Sequence, residues 1–249
     1  GWWRRRKGGG RVVGGSVLWS REGTKQEQDF RKVPWAMPVS GKHVASKGEW
    51  YWEYSDNNLN QIDDGEAIRD HMLRAIFGSF SNAKKNPKYA PNKLKWVSYV
   101  GGKRESRRLM GEHIYDMHDA IKRREFPDAV VVEKREVDGH YQRKLKGAKE
   151  DFLSTAMFHK TGGYYFIPFR SFYSRNLSNL MMAGRCFSCT HVGLCGPRVM
   201  NTCGQMGIAT GYAAVLCKKH KASPKEVGQS HIRELRNLIG FDGTKLVNN

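Results

Sequence analysis

No run of about 18 apolar residues occurs in the chain, so no stretch of it reads as a membrane span. The opening, GWWRRRKGGGRVVGGSVLW, is basic but lacks the apolar core of a secretory signal. A cytoplasmic location is therefore the expectation by default. Acidic residues are scarce: 24 Asp and Glu face 43 Lys and Arg, a net charge of +19. The five cysteines are an odd number, and with no signal sequence this argues against a disulfide framework. What remains is a globular composition on the polar side, with 39% hydrophobic residues, in a 249-residue chain long enough for one large or two small domains.

A field of +19 attracts polyanions and would make binding to nucleic acid depend on salt. The cations are spread through the chain, however, and the aromatics do not alternate with them as in a base-stacking surface. A basic soluble enzyme is preferred, its charge suited to an anionic substrate or the pyrophosphate of a cofactor. A nucleic-acid-binding protein is the alternative.

The glycine-rich start partly matches the dinucleotide fingerprint G-x-G-x-x-G. Gly8 and Gly10 fit its first two places, but the third falls on Val13. No apolar strand precedes Gly8, and the motif needs a strand before it and a helix after it. The fingerprint is rejected.

Period and punctuation place several elements. Val17 to Trp19 reads as a strand, residues 34–38 as an extended piece between prolines, and Glu49 to Tyr54 as an aromatic-rich strand. Ile68, Met72, Leu73, Ile76, Phe77 and Phe80 recur at helical spacing, predicting a helix over 63–80 capped by Asp63 or Asp64. A strand follows over 94–100. Asp116 and Asp119 open a short helix, 115–125, and a strand covers 128–132. Residues 138–149 read as a polar connection. Near the end, Ser223, Pro224 and Glu226 form a helix start, and Ile232, Leu235, Leu238 and Ile239 an amphipathic helix closed by Gly240.

The most informative stretch is 164–216, YYFIPFRSFYSRNLSNLMMAGRCFSCTHVGLCGPRVMNTCGQMGIATGYAAVL. It reads as strand, tight turn, loop and helix: an apolar run stops at Gly184-Arg185, a Cys- and Gly-rich loop carries His191, and a helix begins near Thr202. Gly204, Gly207, Gly211 and Ala214 leave little side chain on that helix. Glycine in a helix costs up to about 1 kcal/mol relative to alanine, so three of them need a reason. Close packing is one. Close approach of backbone to a ligand is the other, and a helix N-terminus suits an anionic or electron-rich group.

IPFRSFY, NLMMAGRCFSCTH and PRVMNTCGQMGIATGYAA resemble the C-terminal signature of FAD-dependent oxidoreductases with a glutathione-reductase-type FAD domain. The similarity is dense from Ile167 to Ala214. Weaker matches, VPWAMP, EWYWEY, IRDHMLRAIFGSF and GKRESRRLMGE, keep the family's order from about Gly15. The family carries its glycine fingerprint near its own N-terminus, before anything matched here. The resemblance therefore implies the C-terminal portion of such an enzyme. Its N-terminal FAD-binding half would be missing, supplied by a partner chain, or lost from a degenerate molecule. On its own the chain is expected to bind FAD weakly or not at all.

The implied fold is mixed α+β and α/β: a substrate domain with an antiparallel sheet and helices, plus the C-terminal part of a Rossmann-like FAD domain. The expected divisions are a basic tail (1–15), a substrate or cap domain (16–160), the FAD-domain segment (161–222), and a terminal helix and tail (223–249). The implied reaction is hydride transfer between a small organic substrate and flavin. By resemblance, Gly184 and Arg185 lie near the ribityl and phosphate groups. Arg198, Val199, Met200, Thr202 and Gly204 set the helix start against the flavin pyrimidine edge. His191 would take a proton as hydride leaves, since an imidazole titrates near neutrality. At least one arginine of the Gly101–Leu109 turn, with Arg104 and Arg107 as candidates, would face substrate or flavin. Arg170 would hold substrate or make a salt bridge. No metal ligands are assigned. Cys186-x-x-Cys189 with Cys195 and Cys203 offers a weak metal or redox alternative.

Overall fold

The computed structural model describes residues 13–31, 33–40, 52–54, 59–144 and 146–243. The basic tail up to residue 12 and the first half of the expected 49–54 strand lie outside them. In chain order the regular elements begin with β1 (Trp19–Gly23), α1 (Gly65–Ala83), β2 (Asn92–Val97), α2 (Met117–Ile121) and β3 (Ala129–Glu133). They continue with β4 (Val137–Arg143), β5 (Leu153–His159), β6 (Tyr165–Pro168), α3 (His191–Leu194), α4 (Met200–His220), α5 (Pro224–Ser230) and α6 (Ile232–Ile239). The strands form three two-stranded ribbons, β1–β2, β3–β6 and β4–β5. Helices and small sheets are thus mixed, as an α+β reading requires.

The chain divides into two compact units. One comprises the described parts of Arg6–Ser106 together with His140–Ala156. Its centre is α1, whose stripe of Ile68, Met72, Ala75, Ile76 and Phe80 is buried. Met72, Ala75 and Ile76 of that stripe pack with Val17, Met37, Trp52, Phe152 and Leu153, while Phe80 forms a second cluster with Ala83. Gly78 lets the helix pass the backbone of Met37: a Cβ there would lie 2.0 Å from the Met37 carbonyl oxygen. The predicted helix is therefore present, displaced slightly toward the C-terminus. Asp64 is its N-cap, but the carboxylate accepts from the Asn60 N–H at 2.6 Å instead of from the helix. β1 pairs antiparallel with β2 and carries a bulge at Ser20/Arg21.

The other unit comprises Arg107–Gly139 and the described part of Met157–Asn249. α2 opens with the reciprocal Asp116/Asp119 cap that the sequence signalled. β3 pairs antiparallel with β6. α4 buries Thr202, Met206, Ala209, Ala213 and Leu216, a stripe at helical spacing. Gln205 fixes α4 against β3. Its side-chain oxygen accepts from the Val132 N–H at 3.2 Å and its amide donates to the Val132 carbonyl at 3.0 Å, so one side chain mimics a neighbouring strand. The Ser223/Glu226 capping box and Pro224 start α5. Arg236 of α6 donates to the Ala129 carbonyl at 2.8 Å, tying that helix to the start of β3.

Three expectations need correction. Residues 138–149 are not a plain connection: most of β4 lies there, paired with β5, and it escaped notice because DGHYQR has no apolar alternation. The apolar run before Gly184 is not a strand but touches Tyr173 through a single bridge at Met181. The terminal helix is two helices, broken at His231, which ends α5 and precedes α6.

Candidate functional site

In the second unit, Ala183 is extended and Gly184 turns the chain into the left-handed region at φ 71°. That conformation disfavours any residue with a Cβ, which accounts for glycine in the Ala-Gly-Arg turn. A short 3-10 turn, Gly184–Cys186, follows and packs on the first turn of α4; the position of a Cβ on Gly184 lies 3.9 Å from the Cys203 sulfur. Thr190 then caps α3, its hydroxyl accepting from the Gly193 N–H at 3.0 Å. His191 is the first residue of α3 and is buried.

The start of α4 is preceded by Val199 in extended conformation, and no side chain caps it. Its first N–H groups therefore keep the partial positive charge of a helix N-terminus. Met200, at the tip, is 91% exposed. Along the outer face, a Cβ on Gly204, Gly207 or Gly211 would meet no heavy atom within 4 Å. Ile208, Tyr212 and Val215 share this exposed surface. One face of α4 is thus packed on its own unit and the other is bare backbone and apolar side chain.

Side chains near this tip are committed elsewhere. The Arg198 guanidinium donates to the Asp138 carbonyl at 3.1 Å and to its carboxylate at 3.2 Å. The Thr202 hydroxyl, fully buried, is bonded to Glu133. Glu133 in turn accepts from the backbone N–H of Lys134 and Arg135. Thr202 can therefore offer a ligand its place in the turn, not its hydroxyl, whereas Arg198 spends Nη2 on Asp138 and keeps a buried Nε without a hydrogen-bond partner among the described residues. Arg185 is exposed.

The segment after Arg107 runs beside the signature loop. Leu109 N–H donates to the Cys186 carbonyl at 3.0 Å, Arg108 Nε to the Cys189 carbonyl at 2.9 Å, and Tyr115 N–H to the Ser188 carbonyl at 3.0 Å. The structure thus brings the second half of the RESRRLMGE match together with CFSC. Arg107 itself is exposed. Arg170 pairs with Asp128 at 3.5 Å, as the salt-bridge alternative anticipated. Arg104 belongs to the first unit, where its guanidinium meets buried Glu53, and His140 Nδ1 lies 2.7 Å from the same carboxylate.

Sequence reasoning missed the acids. Arg104, Arg170 and Arg198 each have one: Glu53, Asp128 and Asp138. In each pair the carboxylate is the more deeply buried partner. The signal was available in the composition, because acids outnumbered almost two to one are worth tracing individually.

Buried phenols surround the loop. Burial pushes the Tyr115 and Tyr165 hydroxyls well above the usual phenol range, keeping both neutral. A Cβ on Gly196 would lie 2.3 Å from the Tyr165 hydroxyl, so that glycine is where the loop passes the phenol. The cysteines do not behave as a centre. None of the five is in a disulfide, and among the described residues none belongs to a cluster of three metal-ligating side chains. Burial raises the Cys203 thiol, against a smaller lowering by Arg185, so it stays protonated and weakly nucleophilic near neutrality. Elsewhere on this unit an open apolar hollow of about 370 Å³, lined by Val130, Val132, Ile208 and Phe241 among others, contains none of the predicted site residues. Among the described residues no helix is long and apolar enough to cross a membrane.

A family model described as FAD dependent oxidoreductase matches residues 15–239. No curated protein and no solved structure matches the chain. That match extends through both units, and the chain belongs to the FAD-dependent oxidoreductase family.

Proposed function

We propose that this chain provides the substrate domain and the C-terminal wall of the flavin site in an oxidoreductase acting on a small organic molecule. The observation that carries the reading is the left-handed turn at Gly184 packed on the uncapped, bare-faced start of α4. These residues fit the cofactor. A flat aromatic system needs backbone without side chains, and the three glycines supply it. Reduction builds negative charge on the flavin pyrimidine, which the N–H groups at Val199 to Thr202 would meet. Gly184 and Arg185 would lie along the ribityl chain and phosphates, with the exposed Arg185 guanidinium facing the anion.

FAD, when bound, supplies the acceptor for two electrons and a proton delivered as hydride. The chain's own residues then do three things. His191, held at the start of α3, accepts the proton released from the substrate. Arg170, braced by Asp128, and Arg107 hold a polar or anionic substrate group. Arg104, neutralised by Glu53, shapes the substrate domain. The Rossmann-like remainder of the pocket, with its glycine fingerprint, is supplied by a further segment or a partner chain that covers the bare face of α4.

Titrating FAD with the purified chain tests this reading through quenching of flavin fluorescence. Saturable binding in the range of about 0.1–1 mM is expected, far weaker than a complete flavoprotein site. FAD that copurifies stoichiometrically would overturn the divided pocket. Absence of any saturable quenching would overturn the flavin reading of this chain.

A further inference from the structure

At the far end of α4 from the flavin signature, three side chains converge. His220 is the last residue of α4, His231 lies at the junction of α5 and α6, and Glu234 is in the first turn of α6. Their ligand atoms all lie within 4.8 Å of one another. The two imidazoles are stacked, with ring centroids 3.8 Å apart and planes 11° from parallel. Both present a nitrogen to one carboxylate oxygen: His220 Nε2 at 2.8 Å and His231 Nδ1 at 3.9 Å from Glu234 Oε2. The other carboxylate oxygen is held by Lys219 at 2.7 Å.

The positions are fixed by helix ends. Lys221, at φ 51°, closes α4 in the left-handed conformation, and the Ser223/Glu226 box starts α5 immediately after. His231 is the N-cap of α6 and Glu234 follows three residues on in its first turn, which brings the two side chains together at the helix start. None of the three side chains is exposed, yet none is sealed from solvent, with side-chain exposures of 26%, 29% and 32%. An ion can therefore enter.

We propose that His220, His231 and Glu234 form a binding site for a borderline divalent transition metal, of the zinc, copper or nickel type, which ties α6 to the end of α4. Two imidazole nitrogens and one carboxylate suit such ions, while magnesium and calcium prefer all-oxygen sets. Metal–ligand bonds of about 2.0–2.2 Å require the three atoms to draw together by roughly an ångström. A small opening of the imidazole stack achieves this and leaves a fourth position for water. Lys219 is the built-in competitor, because its ammonium holds the same carboxylate. The site owes nothing to the flavin reading and can succeed or fail apart from it.

Isothermal titration of the full chain, without a purification tag, with zinc chloride tests the proposal, alongside the absorption spectrum with cobalt(II). One ion per chain is expected. His220→Gln, His231→Gln and Glu234→Gln should each weaken binding more than about tenfold. Glu234→His should retain it, and Lys219→Met should tighten it. Circular dichroism without metal controls for folding of each variant. The cobalt spectrum should show ligand-field bands without thiolate charge transfer. Unchanged stoichiometric binding in a His220→Gln/His231→Gln variant, a thiolate band, or no saturable binding to the parent chain would each overturn the site.

Discussion

Truncating Glu53 to alanine is expected to destabilise the unit built around α1 by about 3–5 kcal/mol. The carboxylate is 2% exposed and lies between Arg104 and His140, whose side chains are 18% and 1% exposed. Burying an ion pair is rarely a large net gain, because desolvation offsets attraction. Removing one member is different, since Arg104 would lose the counter-charge it meets at that depth. Glu53→Gln should cost less, because the amide oxygen can still accept a hydrogen bond. Four of the seven tryptophans, Trp19, Trp35, Trp52 and Trp96, are described in this unit, so urea unfolding followed by tryptophan fluorescence reports mainly on it, and a Trp2→Phe/Trp3→Phe background removes the signal of the N-terminal pair. A midpoint for Glu53→Ala equal to that of the parent chain would mean that the carboxylate is not the keystone of the cluster.

Gly193→Ala should be comparably damaging to the other unit, at about 3 kcal/mol. An added Cβ would lie 2.4 Å from the Tyr115 carbonyl oxygen and 2.9 Å from the Asp116 Cα. Both are backbone atoms, and the Tyr115 carbonyl already accepts from the Thr190 N–H at 2.8 Å. The methyl can be accommodated only by moving α3 away from the 109–115 segment, which carries His191 with it. Gly207→Ala is the opposite control. Nothing lies within 4 Å of its Cβ position, so the helix propensity of alanine should raise stability by about 0.5–1 kcal/mol. Far-UV circular dichroism against urea compares the pair. Similar midpoints for the two variants would contradict the packing of α3 on Tyr115.

The contrast between these glycines also shows what the sequence could and could not reveal. Spacing identified Gly204, Gly207 and Gly211 as a stripe but could not say whether it was packed or bare. Gly78, Gly193 and Gly196, each pressed against a distant carbonyl or phenol, carried no local signal at all. Helices with periodic cores or reciprocal caps were legible: α1 from its apolar stripe, α2 from Asp116 and Asp119, and α5 from Ser223, Pro224 and Glu226. β4 was not, because its pairing with β5, not its own pattern, makes it a strand. The family was readable from the signature, since Ala-Gly-Arg and the small-residue helix are local devices. The acids that neutralise Arg104 and Arg198 were not, because each lies more than 50 residues away in the chain.

Where the flavin binds can be tested by amide hydrogen exchange of the chain with and without excess FAD. Slowed exchange confined to Ala183–Cys186 and the first turn of α4, with β1 and β2 unchanged, is expected. Protection that falls elsewhere and spares the Gly184 turn would contradict the assignment of this segment to the cofactor.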